Sequence, residues 1–232
     1  MGPPDGAHRL ADQLGFLLDV DRLKSVIRRG YVADGSRREN TAEHSWTLAL
    51  MAIVLAEHAV EPVDVARVVR MVVIHDLVEV DAGDTYVYDE PGRASKDARE
   101  QAAADRLYGL LPPDQGAELR ALWDEFEHGT GVDARFARSV DRFAGFLLNH
   151  ASGGLAWREN GVTADRVHEV NSSIDVGSPA LWAEVQRRLG DALDRGWIQP
   201  GRAGDGTVDG PADVAAPAGP PIRPDRRGPA RA

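Results

Sequence analysis

The stretch PVDVARVVRMVVIHDLVEVDAGD (residues 62–84) decides between the two fold classes that the sequence allows. It is rich in β-branched residues, which by propensity alone favour a buried strand. Its length and the helix-start signals at Pro62 and Asp64 favour a helix instead. The apolar residues recur at helical spacing, at Val65, Val68, Val69, Val72 and Val73. We therefore predict a helix that runs up to the pair His75 and Asp76.

Seven further segments have helical spacing, and little of the chain alternates as a half-buried strand does. These helices are predicted at 8–26, 41–59, 95–111, 113–128, 133–152, 163–172 and 178–195. The first contains a leucine-rich apolar stripe that includes Leu10, Leu14, Leu17 and Leu18, and Asn40 is predicted to cap the second. The predicted fold class is all-α, a single helical bundle.

Composition divides the chain into a short leader, a folded body and a tail. The last 34 residues hold seven of the 14 prolines, six glycines and no aromatic residue, so they bury too little apolar surface to offset the entropy of ordering. We predict a flexible leader at 1–7, a folded domain at 8–198 and a disordered tail at 199–232.

Charge and cysteine content exclude several classes of protein. Acidic residues outnumber basic ones by 37 to 27, and the net charge of −10 opposes binding to nucleic acid. With no cysteine, disulfides, thiolate metal sites and cysteine nucleophiles are impossible, and a cytoplasmic location is expected. No apolar run approaches the ~20 residues of a membrane-spanning helix, so no membrane association is expected.

Four residues on three different predicted helices combine metal-ligand chemistry with apolar surroundings: His44, the adjacent pair His75 and Asp76, and Asp141. Burying two imidazoles and two carboxylates is costly unless they are paired or bind a cation. This mixed set of nitrogen and oxygen ligands suits one divalent ion, with Mn, Co, Mg, Fe, Ni or Zn as candidates, better than it suits Ca. A single histidine on an apolar face is more often an ordinary core residue, so the set carries the prediction.

Two further carboxylates accompany the His75–Asp76 pair. Glu79 lies four residues after His75 and three after Asp76, hence on the same face of a helix. Asp84 follows Gly83, where the chain is expected to leave the helix. Both residues are candidates for proton handling, and the alternative is an ordinary solvated helix end.

Three segments together resemble a known family: RRENTAEHSW (37–46), HDLVEVDAGD (75–84) and SVDRF (139–143). They are similar to the H…HD…D pattern of HD-domain metal-dependent phosphohydrolases, and most similar to the bacterial 5′-deoxynucleotidase group and its eukaryotic relatives. The resemblance covers residues 15–195. It implies an HD-domain helical bundle that binds one divalent ion and hydrolyses nucleoside 5′-monophosphates, deoxynucleotides among them.

The resemblance also assigns roles to individual residues. It implies that the four residues above are the metal ligands, that Glu79 positions water or transfers a proton, and that Asp84 is a catalytic or sugar-facing acid. It implies that Arg28 binds the substrate phosphate, with Arg37 as a second contact and Arg29 as an alternative to Arg28.

Some conclusions stay open at the level of the sequence. Several relatives carry a tryptophan just after the phosphate-binding arginine, whereas here the nearest aromatic residue is Tyr31, so the choice between ribose and deoxyribose is undecided. The family often forms homodimers, which implies one here. The alternatives are an HD-type hydrolase of another phosphate ester, such as a nucleoside triphosphate, a phosphodiester or a specialised metabolite, and a non-catalytic helical module that binds nucleotide or metal.

Overall fold

Helices carry most of residues 5–201, the part of the chain that the computed structural model describes. The first half contains α1 (Asp5–Val20), α2 (Thr41–Leu55), α3 (Val65–Ile74), α4 (Glu79–Ala82), α5 (Glu90–Arg93) and α6 (Lys96–Tyr108). The second half contains α7 (Pro113–His128), α8 (Val132–Ala151), α9 (Leu155–Glu159), α10 (Ala164–Asn171), α11 (Ile174–Gly177) and α12 (Pro179–Asp194). The predicted all-α class is confirmed.

The predicted start of α2 is present as a full capping box. The Asn40 side chain accepts a hydrogen bond from the backbone N–H of Glu43, and the Glu43 carboxylate accepts one from the backbone N–H of Asn40. These bonds satisfy two backbone donors at the helix entrance. They fix the first turn of α2, which carries His44.

The helix in the deciding stretch is also present, but it ends earlier than predicted. Asp64 caps α3 by accepting a hydrogen bond from the N–H of Arg67. The α-helix stops at Ile74, and His75–Val78 forms a tighter 3-10 turn that leads into α4. The pair His75 and Asp76 therefore lies at the junction between two kinds of helix.

Helices α2, α3 and α8 pack pairwise and form the centre of the fold. Their buried faces meet in one core that includes Leu48, Val68, Met71, Phe136 and Val140, each fully buried. Burial of each such side chain contributes roughly 1.5–3 kcal/mol, which holds the three helices in a fixed relation. Side chains at the edge of this core are therefore held in place by their helices.

A small antiparallel hairpin precedes α2 and was not predicted. Strand β1 (Ile27–Tyr31) pairs with β2 (Arg38–Asn40), and Gly35 in the loop adopts φ +70. A β-carbon at Gly35 would lie 2.8 Å from Cδ1 of Leu155, so both conformation and space favour glycine there. The predicted helix at 8–26 is correspondingly shorter: α1 ends at Val20, and residues 21–25 form a 3-10 turn.

The leucine stripe of α1 is largely exposed among the described residues 5–201. Phe16 is the buried residue of this helix, whereas the leucines are exposed, by 51% at Leu14 and 76% at Leu18. Helix α2 also exposes large apolar residues on one side, which are Trp46, Leu50, Ile53 and Val54. The short turn at residues 21–25 contacts both helices. We call these exposed residues of α1 and α2 the outer apolar face.

The described residues, 5–201, do not extend far enough to test the predicted leader and tail. Helix α1 begins at Asp5 rather than at residue 8, and the carbonyl of Gln199 accepts a hydrogen bond of 2.8 Å from the N–H of Ala164. Residues 1–4 and 202–232 lie outside the described range, so the leader and tail stay predictions. Within residues 5–201 no helix is both long and apolar enough to cross a membrane.

Candidate metal centre

Three elements bring the predicted metal ligands together. Helix α2 supplies His44, the 3-10 turn after α3 supplies His75, and α8 supplies Asp141; one ligand atom from each lies within 4.8 Å of the other two. Oδ1 of Asp141 is 3.1 Å from Nε2 of His44 and 3.8 Å from Nε2 of His75. Oδ1 of Asp76 lies 3.0 Å from Nε2 of His75. These four residues are called the His–Asp cluster below.

The two imidazoles present the same ring nitrogen to the cluster. Nδ1 of His75 lies 2.9 Å from the carbonyl oxygen of Val72, which can only accept, so this nitrogen carries the proton. Nε2 of His75 is buried, faces the Asp76 carboxylate at 3.0 Å and makes no well-aligned hydrogen bond with the described residues. On the other ring, Nδ1 of His44 lies 3.2 Å from Oε2 of Glu39. A carboxylate or carbonyl behind each ring is the usual arrangement for metal-ligating histidines, so the donor set fits a divalent cation.

The electrostatics of the cluster favour positive charge between the carboxylates. Burial opposes charge on His75, but the carboxylates of Asp76 and Asp141 outweigh it and raise the pKa of His75 well above its usual value. Burial likewise opposes ionisation of Asp141, yet the imidazoles of His44 and His75, at 3.1 and 3.8 Å, hold its pKa well below the usual range. Metal ligands bind in their deprotonated form, so a cation bound here would displace the imidazole protons.

Glu79 and Asp84 lie beside the cluster. Their pKa values are raised, whereas that of Asp141 is lowered. Glu79 is 4% exposed and accepts a hydrogen bond of 2.8 Å from the hydroxyl of Thr41. Burial and the neighbouring Asp76 raise the pKa of Glu79 well above its usual value, and burial raises that of Asp84. Carboxyl groups with raised pKa values in a cleft are suited to proton transfer.

Strand β1 brings Arg28 into the same site. Its Nη1 lies 2.8 Å from Oδ2 of Asp76, 3.8 Å from Oε1 of Glu79 and 3.7 Å from Oδ1 of Asp84. Its Nε lies 3.8 Å from Oε2 of Glu39. One guanidinium therefore contacts or approaches four carboxylates.

The neighbouring Arg29 points elsewhere, which distinguishes the two candidates for phosphate binding. Successive side chains of a strand lie on opposite faces. Arg29 donates a hydrogen bond of 3.1 Å to Asn160, and its guanidinium carbon lies 5.7 Å from the centre of the Tyr86 ring. Arg28, not Arg29, thus approaches the His–Asp cluster.

Arg37 and Tyr31 are not brought to the cluster. The guanidinium of Arg37 donates hydrogen bonds of 2.5 and 2.9 Å to the Glu43 carboxylate at the exposed start of α2. The Tyr31 hydroxyl donates to Glu159 at 2.6 Å. Neither residue lines the cavity described next, so phosphate binding by Arg37 stays a prediction without geometric support.

A cavity of about 620 Å³ opens onto the cluster. Its wall includes Asp76 and Asp141, and it extends past Tyr86 and Tyr88 toward α10. Its volume lies within the range of about 300–1,000 Å³ that is usual for small-molecule sites. We call it the active-site cavity.

Sequence reasoning did not single out three residues that contact the site or line its cavity. Glu39 and Thr41 flank the predicted cap Asn40, and Arg142 directly follows Asp141 in the segment SVDRF. Each stands inside or next to a quoted motif, which was the available signal. Their contacts depend on elements far apart in sequence, namely Glu39 with His44 and Arg28, and Thr41 with Glu79.

With this geometry established, comparison with known proteins defines the class. Residues 20–182 match the family model described as HD domain, and the chain belongs to the HD-domain family. It is similar to a predicted metal-dependent phosphohydrolase from Magnetospirillum magnetotacticum MS-1, with 47% identity and a TM-score of 0.81; the match covers 85% of this chain and 99% of that one.

Two curated relatives carry the name 5′-deoxynucleotidase HDDC2. The protein from Bos taurus is 35% identical over 130 residues, which are 56% of this chain and 62% of that protein. The protein from Homo sapiens is 32% identical over 136 residues, which are 58% of this chain and 65% of that protein. The matched segment thus spans slightly less than two thirds of each relative.

Proposed function

We propose that this chain is a divalent-metal-dependent phosphomonoesterase that converts nucleoside 5′-monophosphates, deoxynucleotides among them, into nucleoside and phosphate. The observation that carries the proposal is the convergence of His44, His75 and Asp141 next to a cavity whose wall includes Asp141, with Arg28 and Glu79 beside them. The names of the relatives from Bos taurus and Homo sapiens supply the substrate class.

The proposed metal ligands are His44, His75, Asp76 and Asp141. A divalent ion held by them would lower the pKa of an attacking water and neutralise charge on the phosphoryl group. Glu39 behind the ring of His44 orients that imidazole, and the Val72 carbonyl orients the ring of His75.

Glu79 is the proposed proton-transfer residue. It is buried beside Asp76, and the hydroxyl of Thr41 fixes one of its oxygens at 2.8 Å. A carboxyl that is not a ligand and whose pKa is raised by burial can accept a proton from water and pass one to the leaving oxygen. Asp84 is the second proposed acid, and it lines the same cavity.

Arg28 is proposed to contact the phosphate from the side of the hairpin. A guanidinium can give two parallel hydrogen bonds to a phosphoryl group, which a lysine cannot reproduce. Because Arg28 is held by carboxylates on several sides, its position is defined before substrate binds.

The test is release of phosphate by the full chain, stripped with a chelator and then supplied with Mn, Co, Mg, Fe, Ni or Zn. The substrates are the ribo- and deoxyribonucleoside 5′-monophosphates, a 3′-monophosphate, a nucleoside triphosphate, a phosphodiester and a sugar phosphate. We expect metal-dependent release from the 5′-monophosphates. Preferential release from another ester would replace the proposed substrate class, and binding without release from any of them would indicate a non-catalytic module.

We also infer that two copies of the chain associate through the outer apolar face. Groups of exposed large apolar residues, such as those on α1 and α2, commonly mark contact surfaces. Sedimentation of the wild type should give a dimer, and Leu18→Glu should give a monomer. Val176→Glu is the matched control, because Val176 is likewise an exposed apolar residue, at 55%, but lies on α11 and not on α1 or α2. A monomeric wild type would contradict the inference.

The cytoplasmic location also stays a prediction, which cell fractionation tests.

A further inference from the structure

The cations that line the active-site cavity differ in whether protein groups already pair with them. They are Arg28, Arg29, Lys96, Arg142 and Arg166. Arg28, Lys96 and Arg166 form ion pairs, and Arg29 donates a hydrogen bond to Asn160. Among the residues that the structure describes, Arg142 is the member of this set whose guanidinium has no hydrogen bond or ion pair. It is half-buried.

Arg142 is also placed next to the reaction centre. It directly follows Asp141 on α8, and α-carbons of consecutive residues are about 3.8 Å apart. One helical turn further along, Gly145 lines the cavity, and a β-carbon there would meet nothing within 4 Å. The wall of the cavity beside Arg142 is therefore open, with room for a ligand.

The charge balance of the cavity explains why such a cation would be useful. Six carboxylates line it: Glu39, Asp76, Glu79, Asp84, Asp97 and Asp141. These would repel an incoming phosphate group. Arg28 lies within 4 Å of four of them, so much of its charge is already balanced by the protein. An unpaired guanidinium has its full charge and all its donors available to an anion.

We propose that Arg142 binds the phosphate group of the substrate, as a second anchor in the cavity that Arg28 also lines. The family resemblance implied this role for Arg37, which lies outside the cavity and is paired with Glu43. The proposal rests on the proposed function for the identity of the substrate. Its core, that Arg142 binds a phosphoryl anion in this cavity, stands on the geometry of the site.

The test compares inorganic phosphate binding to the metal-loaded full chain and to two glutamine variants, by calorimetry. Arg142→Gln should weaken phosphate binding about 10- to 100-fold, the range for hydrogen bonds to a charged group. The matched control is Arg135→Gln, because Arg135 lies on the same helix but pairs with Glu61 at 2.8 Å outside the cavity. The control should bind phosphate as the wild type does, and metal content should be unchanged in both.

Kinetics with a nucleoside 5′-monophosphate provide the second readout. Arg142→Gln should raise KM by a similar factor. Arg142→Lys keeps the charge but loses the paired donors, so its KM should lie between those of Arg142→Gln and the wild type. The lysine variant also answers the question if the glutamine variant does not fold: phosphate binding weaker than in the wild type supports the proposal.

The outcomes separate this proposal from the proposed function. Wild-type phosphate affinity in the folded Arg142 variants would overturn the role of Arg142, even if nucleotides are hydrolysed. Conversely, if the wild type hydrolyses no nucleotide, the proposed function fails, while weaker phosphate binding in Arg142→Gln still supports the anion site.

Discussion

Helix α8 takes part in two histidine–aspartate contacts that use the same residue types in different surroundings. Near its middle, Asp141 faces His44 and His75 in the buried His–Asp cluster. Near its end, Nε2 of His150 lies 3.0 Å from Oδ2 of Asp191 on α12. The first contact joins three helices at a cavity, and the second joins two helices near the surface.

The two contacts differ in how completely the protein satisfies them. At the second, Arg195 donates a hydrogen bond of 2.8 Å to Asp191, and Arg188 lies 3.4 Å from Nδ1 of His150. In the cluster, Nε2 of His75 makes no well-aligned hydrogen bond with the described residues, although Oδ1 of Asp76 lies 3.0 Å away. Buried polar atoms are nearly always paired, so unpaired ones that converge indicate a ligand. Residue type alone does not separate a metal centre from a helix contact; burial and convergence do.

The largest expected effect is at the aspartate of the cluster. Asp141→Ala should lose the bound metal and reduce phosphate release by about 10³-fold or more, because ligand loss removes the charge stabilisation that the ion supplies. Asp191→Ala, the matched change at the other contact, should keep both the bound metal and the wild-type rate of phosphate release. Elemental analysis and a phosphate assay measure the two effects. Equal metal content in the two variants would contradict the assignment of the first contact to a metal centre and of the second to a contact between helices.

Glu79 is expected to affect the rate without affecting the metal. Glu79→Gln keeps the size and one acceptor oxygen but cannot exchange a proton, so phosphate release should fall about 10²- to 10⁴-fold. Glu43→Gln is the control, because glutamine is accepted at this position of a capping box and Glu43 lies outside the cavity. A Glu79→Gln protein that binds no metal would make Glu79 a ligand instead.

Substitution of Glu39 is expected to have a smaller effect on metal binding, because Glu39 acts only through the imidazole ring of His44. Glu39→Ala leaves Nδ1 of His44 without the carboxylate at 3.2 Å and should weaken metal binding about 10- to 100-fold. Glu39→Gln retains an acceptor and should recover part of that affinity. Competition with a chelator gives the metal affinity directly. If alanine and wild type bind metal equally, Glu39 does not position His44.

The smallest effect is expected at the second contact, and it should depend on pH. Hydrogen bonds from Arg195 and His150 lower the pKa of Asp191 below its usual value. The stabilisation is therefore present above the ordinary aspartate pKa of about 3.9 and is lost as pH falls through the lowered folded-state pKa. The unfolding temperatures of wild type and Asp191→Asn should differ slightly at neutral pH and converge in acid. A difference that grows in acid would contradict the assignment.

The sequence predicted the helices well where they begin and end at strong local signals. Helix α7 has the predicted bounds 113–128, because Pro113 starts it and its apolar residues keep one period. The hairpin was missed because strands of five and three residues are too short to show an alternating pattern. The end of α3 was predicted too late, since nothing in the local sequence marks the change to a 3-10 turn at His75.

The site could be predicted as far as its motifs extend along the chain. His44, His75 and Asp141 were chosen for their residue types and segments, and the structure brings them together. The contrast between Arg28 and Arg37 could not be predicted, because it depends on which residues of the hairpin approach α4 and which approach the start of α2. Local sequence does not contain these tertiary contacts.

Gly83 has a consequence for recognising further proteins with this arrangement. Its backbone adopts φ +72 and ψ +155, a conformation that is essentially reserved for glycine, and a β-carbon there would meet no other atom. Glycine is thus required at this position by the backbone conformation and not by lack of space. The turn at Gly83 redirects the chain so that the next residue, Asp84, lines the cavity. Genome searches for this chemistry should therefore demand the dipeptide Gly-Asp as one unit, and score an aspartate without its glycine as a different site.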